Sequence, residues 1–415
     1  MEYIAALDLG TSKMIAMVAS KTNRHKILAR AQIESGDSIR RGLIYKTTEA
    51  SAKIAELIRR LKWEMKQMHL PALMQVYVGI GGQGLHTKAC SVEKDLNGNM
   101  VNDELLDELR DECQADSDRS FEVIDKVSPE YYLDGQLELQ PQGIRCEKLD
   151  AHFQIIFGYY SKFKTEVERA LGKETVKVAD TFVSPIAVAK EVLTERERER
   201  GCALIEFGAG LTYLSIYKSG LLRYLVVIPL GGNAITKDIC SMDKTEAEAE
   251  KLKINEGCVQ SGDEANELNA IIDARTDEIV TNIFRQIEIS GYGEDLKAGF
   301  ILTGGASRLK GLDSLLEQRT DKPVRRIEDN PEDSCIRGLL QLGNENCLKE
   351  IATKSWGGIW GAAGYLFGDD KVETPKPEKQ PKVKGTLMKG IKEKAGAVAN
   401  KAGAVTDKAA KGLFD

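Results

Sequence analysis

Apolar runs of strand length and apolar stripes of helix spacing alternate along this chain, and one arrangement occurs twice. Residues 3–7 are apolar, Asp8-Leu9-Gly10-Thr11-Ser12 turns, and residues 13–19 are apolar again. That order predicts strand, tight turn, strand. Over residues 47–69 the apolar positions take helical spacing, with Ile54, Leu57, Ile58 and Leu61 on one face and Pro71 closing the pattern. A strand is expected at 74–80. Residues 81–160 mix short strands and turns with an acidic helix near 103–113. The opening arrangement then returns, with a strand at 202–206, the turn Phe207-Gly208-Ala209-Gly210-Leu211-Thr212, and a strand at 213–217. Ser219-Gly220 leads into a further strand at 221–228. A third glycine turn, Thr303-Gly304-Gly305, follows a strand at 299–302 and is expected to open a helix. Two strand–turn–strand units about 200 residues apart predict two halves of like architecture.

Composition narrows this picture. A chain of 415 residues has room for about two to three domains. A net charge of -6 and a pI near 5.6 argue against a nucleic-acid partner. The charge is uneven, since lysines outnumber acids about two to one from Lys371 onward. Such asymmetry points to a tail with its own partner. The eight cysteines form no CxxC pair and the four histidines are scattered, which argues against zinc and fits a reducing cytosol. The first residues show no basic region or apolar run of the kind expected of a signal peptide, and no stretch reaches about 18 consecutive apolar residues.

The glycine turns carry the candidate chemistry. Backbone N–H groups of a tight turn converge on one point, and glycine lets phosphate approach. Gly10, Thr11 and Ser12 offer such amides and two hydroxyls, and Lys13 adds a charge for the β- or γ-phosphate. Asp8 ends its strand beside the turn, where a carboxylate holds Mg²⁺ through water. A plain hairpin with a polar turn is the alternative for the first unit alone. The second unit and the turn entering a helix N-terminus favour phosphate.

Together these residues resemble the actin-like ATPases, and among them the FtsA family of bacterial cell-division proteins. The resemblance spans most of residues 3–343. Ala6-Leu7-Asp8-Leu9-Gly10-Thr11-Ser12-Lys13 is similar to the first phosphate motif. Val227-Ile228-Pro229-Leu230-Gly231-Gly232-Asn233 is similar to the stretch after the second hairpin. Residues 246–258, with Glu250 and Lys253, resemble the helix that touches adenosine. Phe300-Ile301-Leu302-Thr303-Gly304-Gly305, followed by Ala306, resembles the adenosine motif, and Lys322-Pro323-Val324-Arg325 the strand after it. Tyr131-Tyr132-Leu133-Asp134-Gly135-Gln136, Pro141-Gln142-Gly143 and residues 151–158 look like the later part of the subdomain that FtsA carries in its first half.

The resemblance implies an α/β fold of actin-like (ribonuclease H-like) duplicated domains around a nucleotide cleft, with an inserted FtsA-type α+β subdomain. Residues 1–82 would begin domain I, 83–162 form the insertion, and 163–343 complete domain I and form domain II. Residues 344–368 are an aromatic and glycine-rich segment, either the end of the core or a membrane-interface element. A Pro/Lys linker is expected at 369–385 and an amphipathic membrane-targeting helix at 386–415. ATP and Mg²⁺ would be the cofactors, with Asp8 and Glu206 as the catalytic carboxylates. Gly208, Gly210, Gly231, Gly232, Asn233, Glu250, Lys253, Gly304, Gly305 and Ala306 would join the first turn in binding nucleotide.

Two departures weaken hydrolysis. The family's second motif usually reads Asp-Ile-Gly-Gly-Gly-Thr-Thr-Asp, whereas here Ala209 replaces a glycine, Leu211 a hydroxyl and Tyr213 the closing acid. Many relatives also carry an acid where this chain has Ser184, and serine is no base at neutral pH. Binding with slow turnover at most is the expectation.

The tail has a near-repeat of seven residues at Lys394, Lys401 and Lys408. On a helix, Leu387, Met388, Ile391, Ala395, Val398, Ala402, Val405, Ala409 and Leu413 share a face bordered by those lysines. That layout suits an interface helix on anionic lipid. Its glycines and alanines predict helix on lipid only, and a solubilising Ala/Lys tail is the alternative.

The family resemblance further implies a peripheral protein on the cytoplasmic face of the cell membrane. It would tether the division protein FtsZ, assemble into filaments of itself and meet other divisome proteins. Lys237, Arg275 and Arg285 are basic candidates for the acidic FtsZ C-terminal peptide. An active actin-like ATPase or chaperone, or a pilus-assembly-type scaffold of the same superfold, are the alternatives.

Overall fold

The structure is a computed structural model that describes residues 3–23, 26–114, 120–259 and 266–355, with side chains to residue 347. The expected linker, the aromatic segment beyond residue 355 and the membrane positions Leu387, Met388, Ile391, Val398, Val405 and Leu413 lie outside the described residues.

The first half opens with β1 (Tyr3–Leu9), β2 (Lys13–Ser20) and β3 (Ile27–Glu34), then a small hairpin of β4 (Ile39–Arg40) and β5 (Leu43–Ile44). Helix α1 (Thr47–Gln67) and β6 (Gln75–Ile80) follow. Next come β7 (His86–Asp95), α2 (Asp103–Glu112), β8 (Glu122–Leu133), β9 (Gln136–Glu138) and β10 (Lys148–Gly158). The chain returns through α3 (Ser161–Gly172), β11 (Lys177–Val183), α4 (Ser184–Val192) and α5 (Glu195–Arg200). The second half holds β12 (Cys202–Phe207), β13 (Thr212–Lys218), β14 (Leu221–Ile228), α6 (Gly232–Ile239), α7 (Glu246–Asn255) and α8 (Glu267–Ser290). It ends with β15 (Gly299–Thr303), α9 (Leu312–Arg319), β16 (Val324–Arg326) and α10 (Ser334–Ser355).

The two halves have the same strand plan. One sheet runs β11-β6-β1-β2-β3, and the second contains β16-β15-β12-β13-β14. In each, three strands pair parallel and the leading hairpin adds an antiparallel meander. The repeat predicted by the two hairpins is therefore a repeat of whole sheets. This is the actin-like fold. Helix α1 buries Ile54, Leu57, Ile58 and Leu61 completely against the first sheet. Each such side chain contributes about 1.5–3 kcal/mol. Helices α4 and α10 fill the space between the sheets, and α6, α8 and α9 cover the outer face of the second. Helix α10 runs through the boundary expected at 343/344, because Gly343 there packs against the Tyr77 ring rather than ending the helix.

Strands β7 to β10 form a sheet with one apolar face packed on α2, through Leu149, Ala151, Phe153, Ile155 and Phe157. This sheet continues the second one in the order β14-β7-β10-β8-β9. The join is a single pairing of His86 with Val226, supported by Thr87. Cys90 on β7 and Cys113 at the end of α2 form a disulfide with Cα atoms 6.1 Å apart. Packing of α2 on this sheet brings the two cysteines together although they lie 23 residues apart in sequence. Among the described residues no helix is long and apolar enough to cross a membrane.

Candidate functional site

The two predicted turns meet face to face. β1 and β2 pair from Leu9–Met14 outward, so Gly10, Thr11 and Ser12 form the tip of their hairpin. Ser35 anchors that tip, its backbone N–H donating to Ser12 O at 2.9 Å and its hydroxyl to Gly10 O at 2.7 Å. The second tip is closed by the Gly208 N–H donating to Leu211 O at 2.9 Å. Gly210 then touches Thr11: a Cβ at 210 would stand 2.8 Å from the Thr11 methyl. Only glycine permits that approach.

Below the tips lie the two strand-end acids. Asp8 is the penultimate residue of β1 and Glu206 that of β12, so the duplicated strand plan brings them to one place. Burial pushes the Asp8 carboxyl up to about 6, with the neighbouring Asp333 adding to the shift. Burial, with Asp8 beside it, pushes Glu206 up to about 8. The Cys335 thiol donates to Asp8 Oδ1 at 3.4 Å. Glu206 Oε2 is buried and makes no hydrogen bond. A shielded carboxylate oxygen without a donor is costly unless a cation or proton completes it. Two carboxylates suit Mg²⁺, which keeps waters and takes phosphate oxygens for its remaining positions.

The residues after the second hairpin hold its turn in place. Gly232 N–H donates to Gly208 O at 2.9 Å and Asn233 N–H to Ala209 O at 2.8 Å. The first amides of α6 thus brace the second turn, and Gly231 fits against the same carbonyls. Glu250 and Lys253 of α7 face the start of α6. Lys253 Nζ donates to Glu250 Oε2 at 2.6 Å, Thr236 Oγ1 at 2.8 Å and Gly232 O at 3.1 Å. Ala306 approaches the same glycine, so Gly232, Lys253 and Ala306 share one wall. Gly304 is pressed on the Phe207 backbone, while Gly305 is exposed. The expected helix after them is a single 3-10 turn, Gly305–Arg308, and α9 begins only at Leu312. Gly311 in the left-handed region breaks the helical path between them.

One neighbour carries no sequence signal, and others stand in roles their motif positions do not announce. Cys335 comes from α10, 327 residues from Asp8, and no motif announces it. Tyr213 reaches across the cleft to accept the Gly82 N–H at 2.7 Å. Ser184 is buried at the start of α4 beside Gly79, with no carboxylate at its own position. On the helical face of the second half, Lys237 and Arg285 are exposed. Arg275 is engaged, donating through Nε to Asp238 at 2.5 Å and through a second nitrogen at 3.1 Å, and pairing with Glu278.

Comparison with known proteins agrees with this architecture. The model of the family "Cell division protein FtsA" matches residues 203–341. The cell division protein FtsA of Porphyromonas gingivalis is 31% identical over 388 residues, covering 84% of this chain and 80% of that protein. Among solved structures, a PilM–PilN type IV pilus biogenesis complex superposes with a TM-score of 0.59 at 17% identity, covering 82% of this chain and 98% of that one. MreB5 of Spiroplasma citri bound to AMPPNP gives 0.55 at 12% identity, covering 85% and 99%. Those structures share the actin-like fold, and the sequence relationship assigns the chain more narrowly: it belongs to the FtsA family of cell-division proteins.

Proposed function

We propose that this chain is an ATP-binding adaptor of bacterial cell division that hydrolyses ATP slowly at most, is held on the cytoplasmic face of the membrane by its tail, and tethers FtsZ there. The observation that carries the nucleotide part is the convergence of two hairpin tips, contributed by duplicated sheets, over a pair of buried carboxylates. Gly10, Thr11, Ser12 and Gly210 would present amides and hydroxyls to phosphate oxygens, and Lys13 a positive charge. Asp8 and Glu206 would hold Mg²⁺, which neutralises phosphate charge when bound. Gly232, Lys253, Glu250 and Ala306 would flank the adenosine.

Slow turnover follows from what surrounds the phosphate end. Leu211 is buried and apolar, Tyr213 is committed to Gly82, and Ser184 offers no base. Nucleotide then acts mainly as a structural ligand that favours self-assembly. For FtsZ, Lys237 and Arg285 are the exposed cations of the three candidates, and Arg275 is paired with acids of its own chain. Anionic lipid would bind residues 386–415.

Multiple-turnover phosphate release tests the nucleotide part. Tight ATP binding with release far below about 1 s⁻¹, the low end of ordinary enzymes, is expected. Fast release abolished by Asp8→Ala would contradict it.

A further inference from the structure

We propose that Tyr213 is a positioning residue, a latch that ties closure of the cleft to the placement of the β7–β10 sheet. This rests on the nucleotide reading above and extends it to a part of the chain far from phosphate.

Tyr213 stands opposite Glu206 in the β12–β13 register, so its ring leaves the second hairpin beside the buried acids. Its hydroxyl accepts the Gly82 N–H at 2.7 Å, linking positions 131 residues apart. Gly82 lies between β6 and β7, where the chain leaves the first half. Gly82 and Gly84 have φ of +112° and +90°, values that an L side chain rarely adopts. Gly82 is also confined from the other side, since a Cβ there would fall 2.9 Å from Gly42 O. The turn from which β7 departs is thus clamped between the β4–β5 hairpin and one phenol of the second half.

The next strand, β14, which forms a second hairpin with β13, holds the β7–β10 sheet. On β14, Leu225 N–H donates to Thr87 Oγ1 at 2.8 Å, and Val226 pairs with His86. Arg223 forks onto both carboxylate oxygens of Glu130 on β8, one contact at 2.9 Å, and both side chains are largely buried. β13 and β14 are paired along their length. A displacement of this hairpin on opening or closing of the cleft therefore moves the phenol at the β7 turn and the dock on β14 together. Leu211, at the tip, packs toward Gly42 and closes the same junction. An acid at 213 would lack the reach of the phenol. The residue that costs the chain a polar group at phosphate supplies a contact between the halves.

Hydrogen exchange of the full chain, with and without Mg·ATP, tests this, together with affinity for a fluorescent ATP analogue. Wild type is expected to bind the analogue and to slow exchange across 83–95 and 122–133 severalfold on binding. Tyr213→Phe keeps the ring, and its affinity is expected within about threefold of wild type, with the ATP-dependent slowing in those segments reduced below twofold. Thr87→Val cuts the dock without touching the cleft and is expected to uncouple the same segments. The latch is overturned if Tyr213→Phe or Thr87→Val retains the wild-type ATP-dependent slowing. It is also overturned if wild type binds ATP with no change at 83–95, or if Tyr213→Phe abolishes ATP binding, which would make the phenol a ligand contact. Failure of wild type to bind ATP at all refutes the nucleotide reading itself and, with it, the latch.

Discussion

Replacing Glu206 with glutamine should stabilise the nucleotide-free, metal-free protein at alkaline pH. The carboxyl ionises near 8 in the fold against an ordinary value of 4.5, because it is buried and has Asp8 beside it. Between those values the folded state holds a proton that the unfolded state has lost. Stability therefore falls as pH rises through this window, the reverse of a salt-bridged acid. The loss amounts to about 1.4 kcal/mol per pH unit and levels off near roughly 5 kcal/mol above pH 8. Relaxation of the side chain toward the cleft lowers the attainable value, and an advantage of at least about 2 kcal/mol for Glu206→Gln at pH 8.5 is the expectation. Urea unfolding in EDTA at pH 4.5 and pH 8.5 measures it. The two proteins should be alike at pH 4.5 and separate at pH 8.5. Added Mg·ATP should then raise wild type by about 2.7 kcal/mol at a hundred times its dissociation constant, and the variant by less. A glutamine variant no more stable at pH 8.5 than at 4.5, relative to wild type, would refute the reasoning.

Three further outcomes are expected. Gly210→Val places a branched side chain against Thr11, where even a Cβ lies 2.8 Å from the methyl, so ATP affinity should fall more than tenfold while circular dichroism stays unchanged. Restoring the polar groups with Leu211→Thr and Tyr213→Asp should raise multiple-turnover phosphate release at least about tenfold, or 1.4 kcal/mol in barrier. No increase would show that another feature limits turnover. Deleting residues 384–415 should weaken pelleting with anionic liposomes severalfold, and unchanged pelleting would remove the tail from the account.

Local chemistry was legible in the sequence where it depends on neighbours in the chain. Asp8 through Lys13 and Glu206 through Thr212 announce strand–turn–strand units because glycine, hydroxyl and flanking apolar runs sit within a dozen residues. Their duplication foretold the two matching sheets. What the sequence withheld is long-range. The Cys335–Asp8 contact spans 327 residues and the Tyr213–Gly82 bond 131, and the partner of neither side chain is announced by a local pattern. The family resemblance implied an insertion at 83–162, but the His86–Val226 pairing that joins the β7–β10 sheet to the second half depends on how two sheet edges meet. The family resemblance implied that Gly231, Gly232 and Asn233 bind nucleotide. The amides of Gly232 and Asn233 donate to Gly208 and Ala209, a tertiary hydrogen bonding that no propensity encodes. Arg275 looked available for an acidic peptide, yet Asp238, one helix away, had already claimed it.

Co-pelleting of purified FtsZ with anionic liposomes, with and without the full chain and ATP, tests the adaptor role most directly. The account predicts that FtsZ pellets only when the chain and ATP are both present, and that the variant lacking residues 384–415 fails to bring it down. FtsZ remaining in the supernatant while this chain pellets would contradict it.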